Sequence, residues 1–342
     1  MNMAKNKLWQ AIKGLTLAAG MAVGIFALGQ TDVLADTLTL TVEKNTIGQG
    51  MILDPVQVEF TKGETCADVL LRGLSENGIT PLYDTNTSYG FYLRGIANCD
   101  SGSLNPPACI QKVLSETSTW TGDAYKLTGN KYAPDLTEFS YCSASGWTYT
   151  LDNVFMGVGM GASHPSDGSV LRVMFALCGG TDITGCDPYN NNRQIFEAAD
   201  KSELIRMMGK ANAERSRWSQ VSGFSYAEAD SALTTLDASA NRVYEAVQLL
   251  KSIESKLPAA PKLISLNASD LTLTKGDSYT LTYTIVPSDA VGTVSWTSSN
   301  SSVASVNSGV VTAVGEGSAV ITARVSGSVY ATCNISVSSR LV

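Results

Sequence analysis

His164 is the one histidine in 342 residues, and it stands in Ser163-His164-Pro165-Ser166-Asp167, which puts a hydroxyl, an imidazole and a carboxylate side by side. A hydrolytic triad needs those three groups, but its members converge from separate elements, whereas this stretch runs into a turn. No catalytic role is expected of it. No phosphate-binding glycine loop and no zinc-protease helix is present. Residues 182–192 carry oxygen ligands as calcium loops do, yet without regular spacing, and read as an Asp/Asn-rich turn. The chain is therefore expected not to be an enzyme, and to carry neither a metal nor a resident cofactor.

What remains is an aromatic and apolar group. Trp147 and Tyr149 alternate along one strand and share a face, a pattern that suits core packing as well as a ligand. Phe155, Met156 and Val158 lie beyond a turn, among Gly157, Gly159 and Gly161, where an apolar side chain is harder to bury. These three are the first candidates for touching a ligand, with Trp147 and Tyr149 behind them.

Six of the seven cysteines fall between Cys66 and Cys186, and the seventh is Cys333. With almost no histidine and no Cys-x-x-Cys pair, disulfides are favoured over a metal. Six cysteines admit fifteen pairings. The two short bounded segments suggest Cys99 with Cys109 and Cys178 with Cys186, leaving Cys66 for Cys142. Cys333 is expected as a buried free thiol.

The elements that must position these residues fall into three stretches. Residues 37–187 predict an α+β domain. Leu38 to Val42 alternates as a strand with one buried face. Thr65 and Asp68 form a capping box for a helix whose Cys66, Val69, Leu70 and Leu74 share a side, and Asn77-Gly78 stops it. Ser145 to Leu151 enters a turn at Asp152-Asn153, and Asp167-Gly168 leads into a strand from Val170 to Leu177. Residues 190–257 form a helical connector of three amphipathic helices, capped near Asp200/Glu203 and Ser225/Glu228, with a third stripe from Val243 to Leu257. A stiff Pro258–Pro261 linker follows. Beyond it, strand-like runs at Leu271–Leu273, Tyr279–Ile285, Val310–Val314, Ala319–Val325 and Asn334–Val337 predict an all-β sandwich over 263–338.

Two resemblances follow. Trp296-Thr297-Ser298-Ser299-Asn300, Val303-Ala304-Ser305-Val306, Gly309 to Val314 and Gly317 to Ala323 closely resemble the group 2 bacterial immunoglobulin-like domain. That resemblance implies an immunoglobulin-like sandwich of the kind found on bacterial surface proteins, intimin- and invasin-like adhesins among them, often serving as a spacer, with Trp296 buried. Ser145-Gly146-Trp147-Thr148-Tyr149, the turn Asp152 to Phe155, and Asp167 to Leu171 resemble the bacterial version of the transcobalamin and intrinsic-factor C-terminal domain, across about 37–178. The family usually has Asn-Gly at Asp152-Asn153 and an acid at Ser169, and it lacks the insertion at roughly 99–135. In the vitamin carriers the loop matching Phe155 to Val158 approaches the corrin, and a separate α/α barrel covers the other side. The helices of 190–257 are too few to be that barrel.

Lys5, Lys7 and Lys13, the apolar run Leu15 to Leu28, and Val33-Leu34-Ala35 make residues 1–35 read as a secretory signal peptide. Its removal takes three lysines and Asp32 from 24 basic and 31 acidic residues, leaving a net charge of about −9. Such a surface lacks the basic footprint of a nucleic-acid binder. The apolar run is also short for a bilayer, and no membrane span is expected in the mature chain. The C-terminus shows no apolar tail or wall-sorting motif. Together these features predict a secreted, extracellular or cell-surface-associated multidomain binding protein. Its expected partner is an extracellular ligand, a surface macromolecule or a glycan, as in adhesion. The alternative is capture of a corrinoid or a similar flat apolar molecule.

Overall fold

The computed structural model describes residues 36–87, 90–121, 126–187, 191, 193–326 and 329–339. The leader expected at 1–35 lies outside them. The order is β1 (Asp36–Glu43), β2 (Met51–Phe60), α1 (Cys66–Glu76), β3 (Pro81–Thr87), β4 (Gly90–Ile96), α2 (Ala108–Thr121), β5 (Leu136–Thr137), β6 (Gly146–Leu151), β7 (Val154–Phe155) and β8 (Val170–Ala176). Then come α3 (Thr181–Thr184), β9 (Cys186–Asp187), β10 (Arg193–Gln194), α4 (Ser202–Ala213), α5 (Arg215–Trp218), α6 (Ala227–Thr234) and α7 (Ala240–Glu254). The chain is α+β, with an all-β region at its C-terminal side.

A five-stranded sheet in the order β2-β1-β8-β6-β7 is the frame of the N-terminal part. Its central pair, β1 and β8, is parallel and the other pairs are antiparallel. One face carries Leu38, Leu40, Val42, Leu171, Val173 and Tyr149 onto Cys66, Val69, Leu70 and Leu74 of α1. That helix starts where its capping box says it should, with both halves formed between Thr65 and Asp68, and it ends at Asn77 before Gly78 at φ 69°.

The strand expected to have one buried face has two. Thr39, Thr41 and Glu43 are as buried as the leucines between them, because α4 and the turn before it cover the second face. Gly209 of α4 permits that approach. A Cβ there would come within 2.6 Å of the Thr39 Cγ2 methyl, and a β-branched side chain has little freedom to yield. Gly209→Ala should therefore destabilise the protein by about 1 kcal/mol in urea unfolding, since overpacking outweighs alanine's helix propensity of about 1 kcal/mol. A gain in stability would show that this helix face is free.

The helix starts near Asp200 and Ser225 come slightly later than the capping-box spacing predicts. Asp200 Oδ1 accepts from Ser202 N and Ser225 Oγ from Ala227 N, so each residue ties the turn ahead of its helix without being the cap. Trp218, Met208, Leu204, Leu233, Val247 and Leu250 make the core of α4 to α7.

The expected disulfides are not formed: the structure joins no pair of cysteines. Cys66 packs in the core under α1, whereas Cys142 sits in a different core with Phe175 and Leu177 and donates to Leu177 O. Cys99 donates to Ile96 O at 3.3 Å and packs against the same core as Cys109 of α2 without a bond between the two sulfurs. Cys178 is fully buried behind β8 while Cys186 is half-buried on β9. Burial pushes the Cys66 and Cys99 thiols up to about 11.

The C-terminal region contains β11 (Leu263–Leu266), β12 (Asp270–Thr274), β13 (Ser278–Thr280), β14 (Tyr283–Val286), β15 (Ser295–Ser298), β16 (Ala304–Asn307), β17 (Val310–Ala313), β18 (Gly317–Ser326) and β19 (Val329–Ser338). The run Tyr279–Ile285 is two strands, because the chain changes sheets at Leu281-Thr282: β13 pairs β17 and β14 pairs β11. Ile321, Cys333, Ile335, Val311 and Leu281 form the core. Cys333 is fully buried with its thiol unbridged, as expected. Trp296 is half-buried beside Gly309 and Tyr283, where full burial was expected.

Candidate functional site

The hairpin β6–β7 turns at Asp152 and Asn153, both at positive φ (49° and 63°), a conformation those two residue types tolerate. Asp152 fixes the neighbouring turn: its carboxylate accepts from Ser169 Oγ and Val170 N at 2.9 Å and meets Arg206 of α4. The chain leaving β7 then loops over the end of the sheet. Tyr149, only 6% exposed, holds that loop from below. Its hydroxyl donates to Val158 O at 2.6 Å and accepts from Ser163 Oγ at 2.6 Å.

Between this loop and β4 lies a cleft of ≈ 220 Å³. Trp147, Thr148 and Tyr149 form its floor, with Met156, Val158, Gly159 and Met160 on one wall and Phe91, Tyr92 and Leu93 on the other. Four of the five candidates read from the sequence thus meet in one place. They differ in freedom. Trp147 is half-buried and anchored, with Nε1 donating to Leu136 O at 3.1 Å and its ring edge-on to Phe175 at 5.4 Å. Met156 packs against the α1 core. Val158 is 52% exposed.

Phe155 is the candidate that the structure places elsewhere. It is exposed, but its ring lies over Gly180, where a Cβ would meet it at 2.6 Å. The alternation of β7 turns it away from the cleft, towards the turn that leads into α3.

The wall from β4 was missed in the sequence. Tyr92 is exposed and donates its hydroxyl to Glu138. Burial of part of the ring and that carboxylate push the hydroxyl up to about 12. Tyr83 stacks at 5.4 Å on Phe91, and Asp84 pairs with Arg94 at 2.7 Å on the hairpin. The available signal is the cluster of aromatic residues Tyr83, Phe91 and Tyr92.

Ser163, His164 and Asp167 do not converge. Ser163 serves Tyr149, the His164 ring meets Glu64 O at 3.1 Å, and Asp167 accepts from Thr37 N at 2.9 Å. Among the described residues no helix is long and apolar enough to cross a membrane.

Residues 262–333 match the bacterial Ig-like domain (group 2). A minor capsid protein of Enterobacteria phage T3 is 40% identical over 79 residues, covering 23% of this chain and 18% of that protein. Among solved structures, domains 4 and 5 of the S-layer protein SbsC align at 23% identity and a TM-score of 0.21, over 23% of this chain and 53% of that one. A longer SbsC structure, residues 31–844, aligns at 24% identity and a TM-score of 0.21, over 24% of this chain and 13% of that one. The chain therefore spans under a fifth of the capsid protein's length and about half or less of the S-layer chains.

Proposed function

We propose that this chain is an exported, cell-surface-associated binding protein without enzymatic activity. In this reading the cleft beside β4 and β6 recognises an extracellular macromolecule or glycan, and the C-terminal sandwich holds it away from its attachment point. The observation that carries the reading is the cleft itself: a rigid aromatic floor, an exposed rim of Tyr92 and Val158, and a volume of ≈ 220 Å³. Small-molecule sites usually occupy about 300–1,000 Å³. A smaller recess suits one side chain or one sugar ring of a larger partner, with exposed aromatics as anchors around it. The group 2 Ig-like match over residues 262–333 supports a surface setting. Residues 37–178 resemble the vitamin-carrier domain in their motifs, but a corrin macrocycle is far broader than this recess, which favours the macromolecule over the corrinoid.

The test is a double substitution at the rim. Tyr92→Ala with Val158→Ser should weaken binding at least about tenfold to whichever member of a panel of immobilised surface polysaccharides and mucin-type glycoprotein the unaltered chain retains. Its unfolding free energy should change by only about 0.5–1 kcal/mol, because both side chains are exposed. Binding of cobinamide with retention of none of the polymers would reverse the choice. Unchanged polymer affinity in the double variant would move the site away from the cleft.

A further inference from the structure

The sheet face turned away from α1 backs onto a second recess, ≈ 100 Å³, between β6, β8, α3 and the turn before α4. The charged side chains lining it are both cations, Arg172 and Lys201, and Thr150, Asn153 and Thr184 add polar groups. Thr150 and Arg172 are register partners across β6 and β8, so they stand together on this face. Glu43 takes Nε and Nη2 of Arg172, each at 2.9 Å, leaving Nη1 outside the pair. Lys201 Nζ donates to Leu233 O at 2.8 Å and Thr235 O at 2.5 Å, and it meets no carboxylate within ion-pair distance among the described residues. Thr150 is 4% exposed and its hydroxyl has no hydrogen-bond partner among the described residues.

Two features thus coincide in one recess: a buried lysine amine with no carboxylate within ion-pair distance, and a buried hydroxyl without a hydrogen-bond partner, both among the described residues. Both are costly to leave unsatisfied. From this coincidence we infer that the recess is a binding site for a small oxyanion, a carboxylate or a tetrahedral sulfate- or phosphate-type group. The anion sits between Lys201, the free edge of Arg172 and the Thr150 hydroxyl. This site is on the opposite face of the sheet from the α1 core and is independent of the surface-binding reading.

The experiment titrates acetate, sulfate and inorganic phosphate into the full chain by calorimetry at pH 6, where the Lys201 amine carries its proton, against chloride at matched ionic strength. At least one should bind saturably, and Thr150→Val and Lys201→Met should each weaken it about tenfold or more, as expected for a lost hydrogen bond to a charged group. Thr150→Val is close to isosteric and removes an unpartnered hydroxyl, so it decides the matter even if Lys201→Met does not fold. Saturation by acetate alone supports the site and assigns it to a carboxylate. Saturation by sulfate and phosphate alone supports it and assigns it to a tetrahedral group. The inference falls if none of the three binds saturably, or if Thr150→Val binds as the unaltered chain does.

Discussion

Glu43→Ala is expected to lower the unfolding free energy by about 3–5 kcal/mol, one of the largest losses available to a single polar substitution in this protein. The carboxylate is 1% exposed and fully bonded. Oε1 accepts from Arg172 Nε and Thr41 Oγ1, and Oε2 from Arg172 Nη2 and Asn45 Nδ2, at 2.9 to 3.1 Å. Arginine and these bonds hold the carboxyl below its usual range despite the opposing effect of burial. Removing it leaves a guanidinium buried between β1 and the elements before α4 without its partner. The pair as a whole is less valuable than its rupture is costly, since desolvating two charges offsets most of their attraction. Glu43→Met with Arg172→Met should therefore recover most of the loss. Urea unfolding of the single and double variants checks both halves. A shift under about 1 kcal/mol for Glu43→Ala would mean that the pair is solvated.

Stability should also rise with pH just above neutrality, because of Lys201. Burial, with the Arg172 charge beside it, pushes this amine down to about 7, against the smaller opposing pull of Glu43, Asp237 and Cys109. Its ordinary value is 10.5. Between those values the unfolded chain holds a proton that the folded chain does not, so raising the pH favours the folded state. The penalty is full below about 7 and gone above the unfolded value. From pH 7.5 to 8.5 the contribution approaches about 1.4 kcal/mol per pH unit. Buried thiols with raised values act in the opposite direction as the unfolded cysteines ionise. The readout is therefore the difference in slope between the unaltered chain and Lys201→Met, with the variant flatter by about 1 kcal/mol per unit. Equal slopes would place the amine in water.

The sequence was most legible where a local rule carries its own partner. Thr65 and Asp68 specify each other, and Asp152-Asn153 can hardly be anything but a tight turn. It was least legible where burial comes from a distant segment. Thr39, Thr41 and Glu43 look like the wet side of a strand, and only α4, more than 150 residues later, makes them interior. The cleft was half visible for the same reason. Trp147, Tyr149, Met156 and Val158 lie close together along the chain, but the opposing Phe91 and Tyr92 come from a hairpin whose exposed, polar strands show no clean alternation. Phe155 reads in the sequence as part of the glycine-rich loop, whereas it closes the short strand β7, whose alternation directs its ring to Gly180 and not to the cleft. The spacing of the cysteines measures loop length and says nothing of which core each sulfur faces, and Cys66 and Cys142 face different ones.

The C-terminal sandwich has a mechanical property that follows from its strand pairing. β12, near its entry, lies parallel to β19, its last strand, over the register Asp270↔Asn334 to Thr274↔Ser338. Tension entering at Asp270 and leaving at Ser338 pulls these two strands lengthwise in opposite directions. Every hydrogen bond of the ladder is then strained at the same moment, and none can be unzipped before the next. A module tethered in this way should resist stretching far better than one whose terminal strands can be unzipped one hydrogen bond at a time.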